Sequence, residues 1–103
     1  MAEDRHAVVW PRGRKLVERR PLAPRLPSLD GRRIAFLWNH VFRGDEIFPV
    51  VEQELAGRHP DLTVVGFDVF GSIYGGDERR TIAALPERLR EHRIDAVVSA
   101  VGC

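Results

Sequence analysis

Side chains that can do chemistry gather in three short segments of this 103-residue chain, and each segment directly follows an apolar run. Histidine titrates near neutrality, arginine and glycine-rich backbone bind anions, and a cysteine thiolate attacks electrophiles. These residue types suit a substrate- or anion-binding site beside a reactive thiol. The candidate residues are Asn39, His40, Arg43 and Asp45, then Ser72, Tyr74, Gly75 and Gly76, and finally Cys103.

Cys103 is the only cysteine, so it is the candidate catalytic nucleophile. The sequence predicts neither an internal disulfide nor a Cys-rich metal site. A helix N-terminus, an arginine and a histidine close to the sulfur would favour the reactive thiolate. An unreactive cysteine at a frayed terminus is the alternative interpretation.

The other candidates also have structural interpretations. His40 is a candidate general acid or base, or a candidate metal ligand. The alternative interpretation is a structural histidine that forms hydrogen bonds beside a buried strand. Backbone amides in residues 71–76 can cradle a phosphate or carboxylate, although their spacing matches neither the dinucleotide fingerprint nor a P-loop. The residues alone indicate no metal site and no bound cofactor.

Three apolar runs and two amphipathic segments must position these residues. Residues 34–38, 62–67 and 96–101 are typical of strands buried on both faces. Residues 45–58 predict a helix that begins near Glu46, with Pro49 in its first turn and an apolar face of Ile47, Val51 and Leu55. Residues 77–92 predict a second helix that kinks or restarts at Pro86, with an apolar face of Ile82, Leu85 and Leu89.

Alternation of strand and helix predicts an α/β fold with right-handed crossovers and a parallel sheet. We expect a Rossmann-like or flavodoxin-like βαβαβ fragment, built as a parallel three-layer sandwich with an extended N-terminal arm. The carboxyl ends of parallel strands share one edge, where ligands collect. The three candidate segments should therefore meet there.

The arm is predicted to cover residues 1–31 and the α/β unit residues 32–103. Residues 7–10 predict a short strand, and three prolines between residues 21 and 30 predict an extended connector. Residues 1–33 carry a net charge of +5 and the remainder −4, which favours an exposed basic strap around an acidic body. Few aromatics interleave the basic residues, so nucleic acid is not the expected partner.

The composition is that of one ordinary globular domain, 44% hydrophobic and 30% charged. No apolar run approaches the ~20 residues that cross a bilayer, and the first residues lack the plan of a signal peptide. We therefore expect a cytoplasmic protein with no membrane association.

Residues 29–38, 42–49, 75–78 and 95–103 resemble the UGSC-motif family of bacterial (seleno)proteins. In that family, the strand equivalent to residues 95–101 is followed by selenocysteine or cysteine, then Gly-Ser-Cys. The resemblance implies a selenocysteine just beyond Cys103, encoded by a UGA codon that gene finding reads as a stop. The motif is also remotely similar to that of protein B of the glycine and proline reductases.

The resemblance implies thiol/selenol redox chemistry of the reductase type, with this chain as the front part of the enzyme and inactive alone. Its expected partners are a small-molecule substrate or a thiol redox protein. One alternative is a short non-catalytic subunit completed by a partner chain or by a homodimer. Another is a small anion- or nucleotide-binding module that uses Gly75 and Gly76.

Overall fold

The structure is a computed structural model that describes residues 6–102. Its strands are β1 (Arg33–Trp38), β2 (Thr63–Val65) and β3 (Ala96–Ala100), and its helices are α1 (Gly44–Arg58) and α2 (Glu78–Glu91). A short 3₁₀ turn, Phe67–Val69, follows β2. The predicted α/β class, the parallel sheet and the alternation of elements are confirmed.

The sheet has the order β2-β1-β3, and both pairings with β1 are parallel. The chain crosses from β1 to β2 on one side, then returns past β1 to place β3 on the other side. This reversal creates a topological switch point between the carboxyl ends of β1 and β3, where open α/β sheets bind ligands. In the register of that pairing, Trp38 lies opposite Ala100.

The two helices cover opposite faces of the central strand β1, which has four consecutive buried residues. Ile34 and Phe36 point to the α1 face and pack with Phe48 of that helix. Ala35 and Leu37 point to the other face, where two leucines of α2 cover them, and the result is a three-layer arrangement. Continuous burial of β1 explains its uninterrupted apolar sequence, because both faces need apolar side chains.

The α1 face differs by one residue from the sequence-based prediction. Phe48 is buried and stacks on Phe36 with ring centroids 4.7 Å apart, whereas Ile47 is 44% exposed. Val51 and Leu55 pack against this cluster as predicted. Spacings of three and four residues both fit a 3.6-residue period, and the larger aromatic side chain takes the buried position.

Both helices contain an interior proline. Helix α1 begins at Gly44, earlier than the predicted start near Glu46, so Pro49 lies beyond its first turn. Helix α2 is continuous through Pro86, so the restart is wrong and the kink, the other predicted alternative, stays a prediction. A proline removes one intrahelical donor, and the amphipathic packing of each helix on the sheet offsets that loss.

Three other expectations are wrong. Strand β2 covers Thr63–Val65 rather than residues 62–67, and only Val65 of the three is buried. Residues 7–10 form no strand. Strand β3 is not buried on both faces, since Val97 is 41% and Val98 37% exposed. Among the described strands, β3 pairs only with β1 and lies at an edge of the sheet. Its apolar sequence therefore does not mean that its side chains are buried within residues 6–102.

Candidate functional site

The side chain of Asn39 ties the carboxyl ends of β1 and β3 together. Its Nδ2 donates a hydrogen bond to the Val101 carbonyl at 2.8 Å, and its Oδ1 accepts one from the Val101 amide at 3.0 Å. The Asn39 backbone amide also donates to the Ala100 carbonyl at 3.2 Å. A primary amide has the same donor and acceptor as a peptide unit, so Asn39 continues the ladder beyond the last paired residues.

A small cavity of ≈ 130 Å³ lies beside this tie, at the switch point. Its volume suits on the order of four water molecules, so only a small substrate or one group of a larger substrate fits. The Ile73 amide donates to the Trp38 carbonyl at 3.5 Å, which brings the β2–α2 segment over the same edge. The lining residues are Asn39, Ile73, Ser99, Ala100, Val101 and Gly102.

The β1–α1 loop is built around the Trp38 indole. Trp38 Nε1 donates to the Val41 carbonyl at 3.0 Å, and the ring stacks on His40 with centroids 4.4 Å apart. Gly44 lies so close that a Cβ atom there would overlap the indole ring. The loop therefore needs glycine at position 44 because the indole occupies the space of a side chain.

His40 lies against this aromatic surface. Its ring also contacts Phe67 edge-on at 6.2 Å, and its backbone φ of 58° falls in the left-handed region. Phe42 has a φ of 57° and is 63% exposed. Bulky residues seldom adopt this conformation, and such residues cluster at ligand sites where the surrounding structure holds them.

Arg43 and Asp45 lie at the start of α1, and both are exposed. Arg43 forms an ion pair with Glu46 at 3.6 Å across the first turn. Asp45 and Glu46 place two negative charges at the positive end of the helix. The first turn of α1 is thus already neutralised by its own carboxylates.

The Ser72 hydroxyl is engaged within its own turn. It donates to the Tyr74 carbonyl at 2.6 Å and accepts from the Tyr74 amide at 3.2 Å. The Tyr74 side chain is exposed. Gly75 has a φ of 101° and its carbonyl accepts from the Glu78 amide, so this glycine shapes the turn that leads into α2.

The structure brings Asn39 to the cavity but not the side chains of Ser72 or Tyr74. Cys103 lies outside the described residues. The sequence-based prediction missed Ile73, which carries the β2–α2 segment to the cavity, and Ser99, a polar residue within an apolar strand. Ser99 is the one polar residue in the apolar run 96–101, and this is the sequence feature that could have indicated a polar residue lining the cavity.

A carboxyl with a clearly shifted pKa lies near the opposite edge of the sheet. Hydrogen bonds with His59 and Ser28 lower the pKa of Asp30 below its usual value of 3.8. The His59 Nδ1 to Asp30 Oδ1 distance is 2.8 Å. This pair joins the turn before β1 to the end of α1 and takes no part in the candidate site.

Within residues 6–102, no group of three or more His, Cys, Asp or Glu side chains is arranged to hold a metal ion. None of the helices in that part of the chain is long and apolar enough to span a membrane.

Comparison with known proteins identifies a family. A family model described as the UGSC family matches residues 7–103, and thus includes the arm as well as the α/β unit. No curated protein and no solved structure matches the chain.

Proposed function

The chain belongs to the UGSC family, and on that premise we propose that it supplies the substrate-binding edge of a thiol/selenol redox enzyme. The observation that carries the proposal is the tie between Asn39 and Val101 beside the switch-point cavity. The family resemblance implies a reactive cysteine or selenocysteine directly after this strand. Asn39 then acts as a positioning residue for the backbone that leads to it.

The proposed reaction is a two-electron reduction. The selenolate of the selenocysteine-Gly-Ser-Cys motif, which the family resemblance implies directly after Cys103, attacks an oxidised small-molecule substrate and forms a selenium–substrate bond. The thiol of the motif's cysteine then attacks that selenium and breaks the selenium–substrate bond. The substrate leaves reduced by two electrons and two protons, and the motif closes an S–Se bond. A dithiol partner protein then reduces that bond and becomes a disulfide.

The edge of the sheet supports a small, weakly charged substrate group better than a phosphate. Asp45 and Glu46 occupy the first turn of α1, while Asp77 and Glu78 flank the start of α2. These carboxylates oppose anion binding at either helix N-terminus. The alternative of a nucleotide-binding module at Gly75 and Gly76 is therefore the less favoured one.

The first test is the composition of the protein isolated from its native host. We expect a selenium-containing product by mass spectrometry, with selenium on the residue that follows Cys103. A native product without selenium and without a second thiol would contradict the proposal, and would favour the non-catalytic subunit instead.

A second test uses the single thiol of the 103-residue chain. Alkylation reports on Cys103 alone because there is no other cysteine. We expect the alkylation rate of the folded chain to differ from its rate in urea, and Asn39→Ala to remove that difference. Ser72→Ala is the matched control, since its hydroxyl bonds only within its own turn. Equal alkylation rates of Cys103 in Asn39→Ala and in the parent chain would show that Asn39 does not position this cysteine.

A further inference from the structure

Residues 6–28 of the N-terminal arm expose an unusual amount of apolar surface. Residues 6–25 are all exposed, and no backbone–backbone hydrogen bond among the described residues involves the arm. Soluble monomers seldom leave so many large apolar side chains uncovered in one segment. The six large apolar side chains, 77–95% exposed, are Val8, Val9, Trp10, Leu16, Val17 and Leu22.

The arm is also strongly basic. Residues 6–28 carry six basic side chains against one acid, Glu18, for a net charge of +5. None of the six is in an ion pair with another residue of the described part of the chain. The basic residues are Arg12, Arg14, Lys15, Arg19, Arg20 and Arg25.

The outer face of α1 has the complementary character. The helix contains four acids and one arginine, Arg58. An open groove of ≈ 380 Å³ runs along it, lined by Pro49, Val50, Glu52, Gln53 and Ala56. Val50 is 60% exposed, and Glu52 makes no ion pair within residues 6–102. Apolar side chains beside an unpaired carboxylate suit a basic, apolar segment.

The arm joins the body at the outer edge of β3. Leu26 and Leu29 are half-buried, and with residues 23–25 they border a groove against the first residues of β3. Leu29 also packs with the apolar cluster that α1 covers, so the end of the arm lies on the same face of the sheet as this helix. The principal extents of 78, 34 and 27 Å place the arm beyond the body. A 23-residue extended segment can span roughly 75 Å, enough to cross a neighbouring molecule.

We propose that the arm of one chain binds along the outer face of α1 of a second copy, and that the exchange is reciprocal. In a two-fold dimer of this kind, each arm is bound by the α1 helix of the other chain, and neither α1 face is left without an arm. The match of the family model from residue 7 makes the arm part of the shared unit. This inference is independent of the proposed redox chemistry.

The test is sedimentation velocity on the 103-residue chain and two charge-reversed variants. The arm variant is Arg14→Glu with Lys15→Glu, and the helix variant is Glu52→Arg with Gln53→Arg. The parent chain should self-associate, and raising salt from about 50 to about 500 mM should weaken that association because the charges are exposed. Each variant alone should associate roughly tenfold more weakly, since like charges then face each other.

Mixing the two variants identifies the partner. In a mixed dimer, the acidic arm of one chain meets the basic helix of the other, and the native arm meets the native helix. Association should return on mixing. The matched control is Glu87→Arg with Glu91→Arg on α2, which reverses exposed charge on the opposite face and should self-associate like the parent.

Several outcomes would overturn the inference. A parent chain that stays monomeric at all concentrations, or variants that associate like the parent, removes the contact. A chain that carries both the arm and the helix substitutions could associate like the parent while a mixture of the two single variants does not. That result would show that each arm binds the helix of its own chain. Co-purifying nucleic acid that disappears with the arm variant, without self-association, assigns the arm to a polyanion.

Discussion

At the scale of single residues, the candidate edge depends on two close contacts. Asn39 replaces a peptide unit in the ladder, and Gly44 makes room for the Trp38 indole. Both residues act by geometry and carry no charge. Their loss should therefore change the position of the β1–α1 loop and of the end of β3 more than the electrostatics of the edge.

Gly44→Ala should destabilise the chain by about 1–3 kcal/mol, because the new methyl group overlaps the Trp38 ring and the loop must shift. Gly57→Ala in the same helix is the control, since a Cβ atom at that position would have no neighbour within 4 Å. That change should stabilise by about 0.5–1 kcal/mol through helix propensity. Urea denaturation of both variants measures the difference, and equal effects would refute steric crowding at Gly44.

The role of Asn39 could not be predicted from the sequence. Its position after a strand marked it as a candidate, but its partner Val101 is 62 residues away. The contact exists only because β3 lies beside β1 in the order β2-β1-β3. Hydrophobic periodicity predicts strands and helices but does not decide which strand neighbours which.

At the scale of elements, the apolar runs predicted the three strands, with β2 shorter than expected, and helical periodicity predicted α1 and α2. The main error was the choice of Ile47 over Phe48 as the buried start of the α1 face. Both residues fit the helical period with Val51, so the pattern alone was ambiguous. The second error was the predicted burial of β3, because central strands and edge strands can share the same apolar sequence.

Phe48→Ala should cost about 3–5 kcal/mol, since it removes a buried ring that stacks on Phe36. A loss of that size approaches the whole stability of a small domain. Ile47→Ala should cost under about 1 kcal/mol because the side chain is half-exposed. Thermal unfolding followed by circular dichroism compares the two. A larger loss from Ile47→Ala would restore the sequence-based assignment of the face.

The contact of Asp30 with His59 should make the free energy of unfolding depend on pH in the acid range. The lowered pKa of Asp30 means that the folded chain favours the carboxylate. The stabilisation by the Asp30 carboxylate is therefore complete at pH values above the usual carboxyl pKa of 3.8. It is lost as the pH falls through the lower pKa that Asp30 has in the folded chain. The stability difference between the parent and Asp30→Asn should shrink between about pH 5 and about pH 3.

Urea midpoints at the two pH values measure that change. His59→Ala removes the largest cause of the shift, so Asp30→Asn in that background should show a much smaller dependence on pH. An equal dependence in both backgrounds would show that His59 does not stabilise the carboxylate.

At the scale of the whole molecule, a compact α/β unit carries a long arm of opposite charge. The radius of gyration is 20.7 Å, against about 13 Å for a compact chain of this length. The difference measures how far the arm extends from the body. We expect the α/β unit to fold without this segment, since residues 6–25 are all exposed in the part of the chain that the structure describes.

Removal of residues 1–25 should therefore lower the radius of gyration to about 12 Å and leave the fold intact. Small-angle X-ray scattering at high salt and low concentration measures the isolated chains, because salt weakens contacts between exposed charges. Far-ultraviolet circular dichroism provides the control for helix content. A parent chain that already scatters as a compact particle would place the arm against its own body, and the reciprocal exchange would lose its geometric basis.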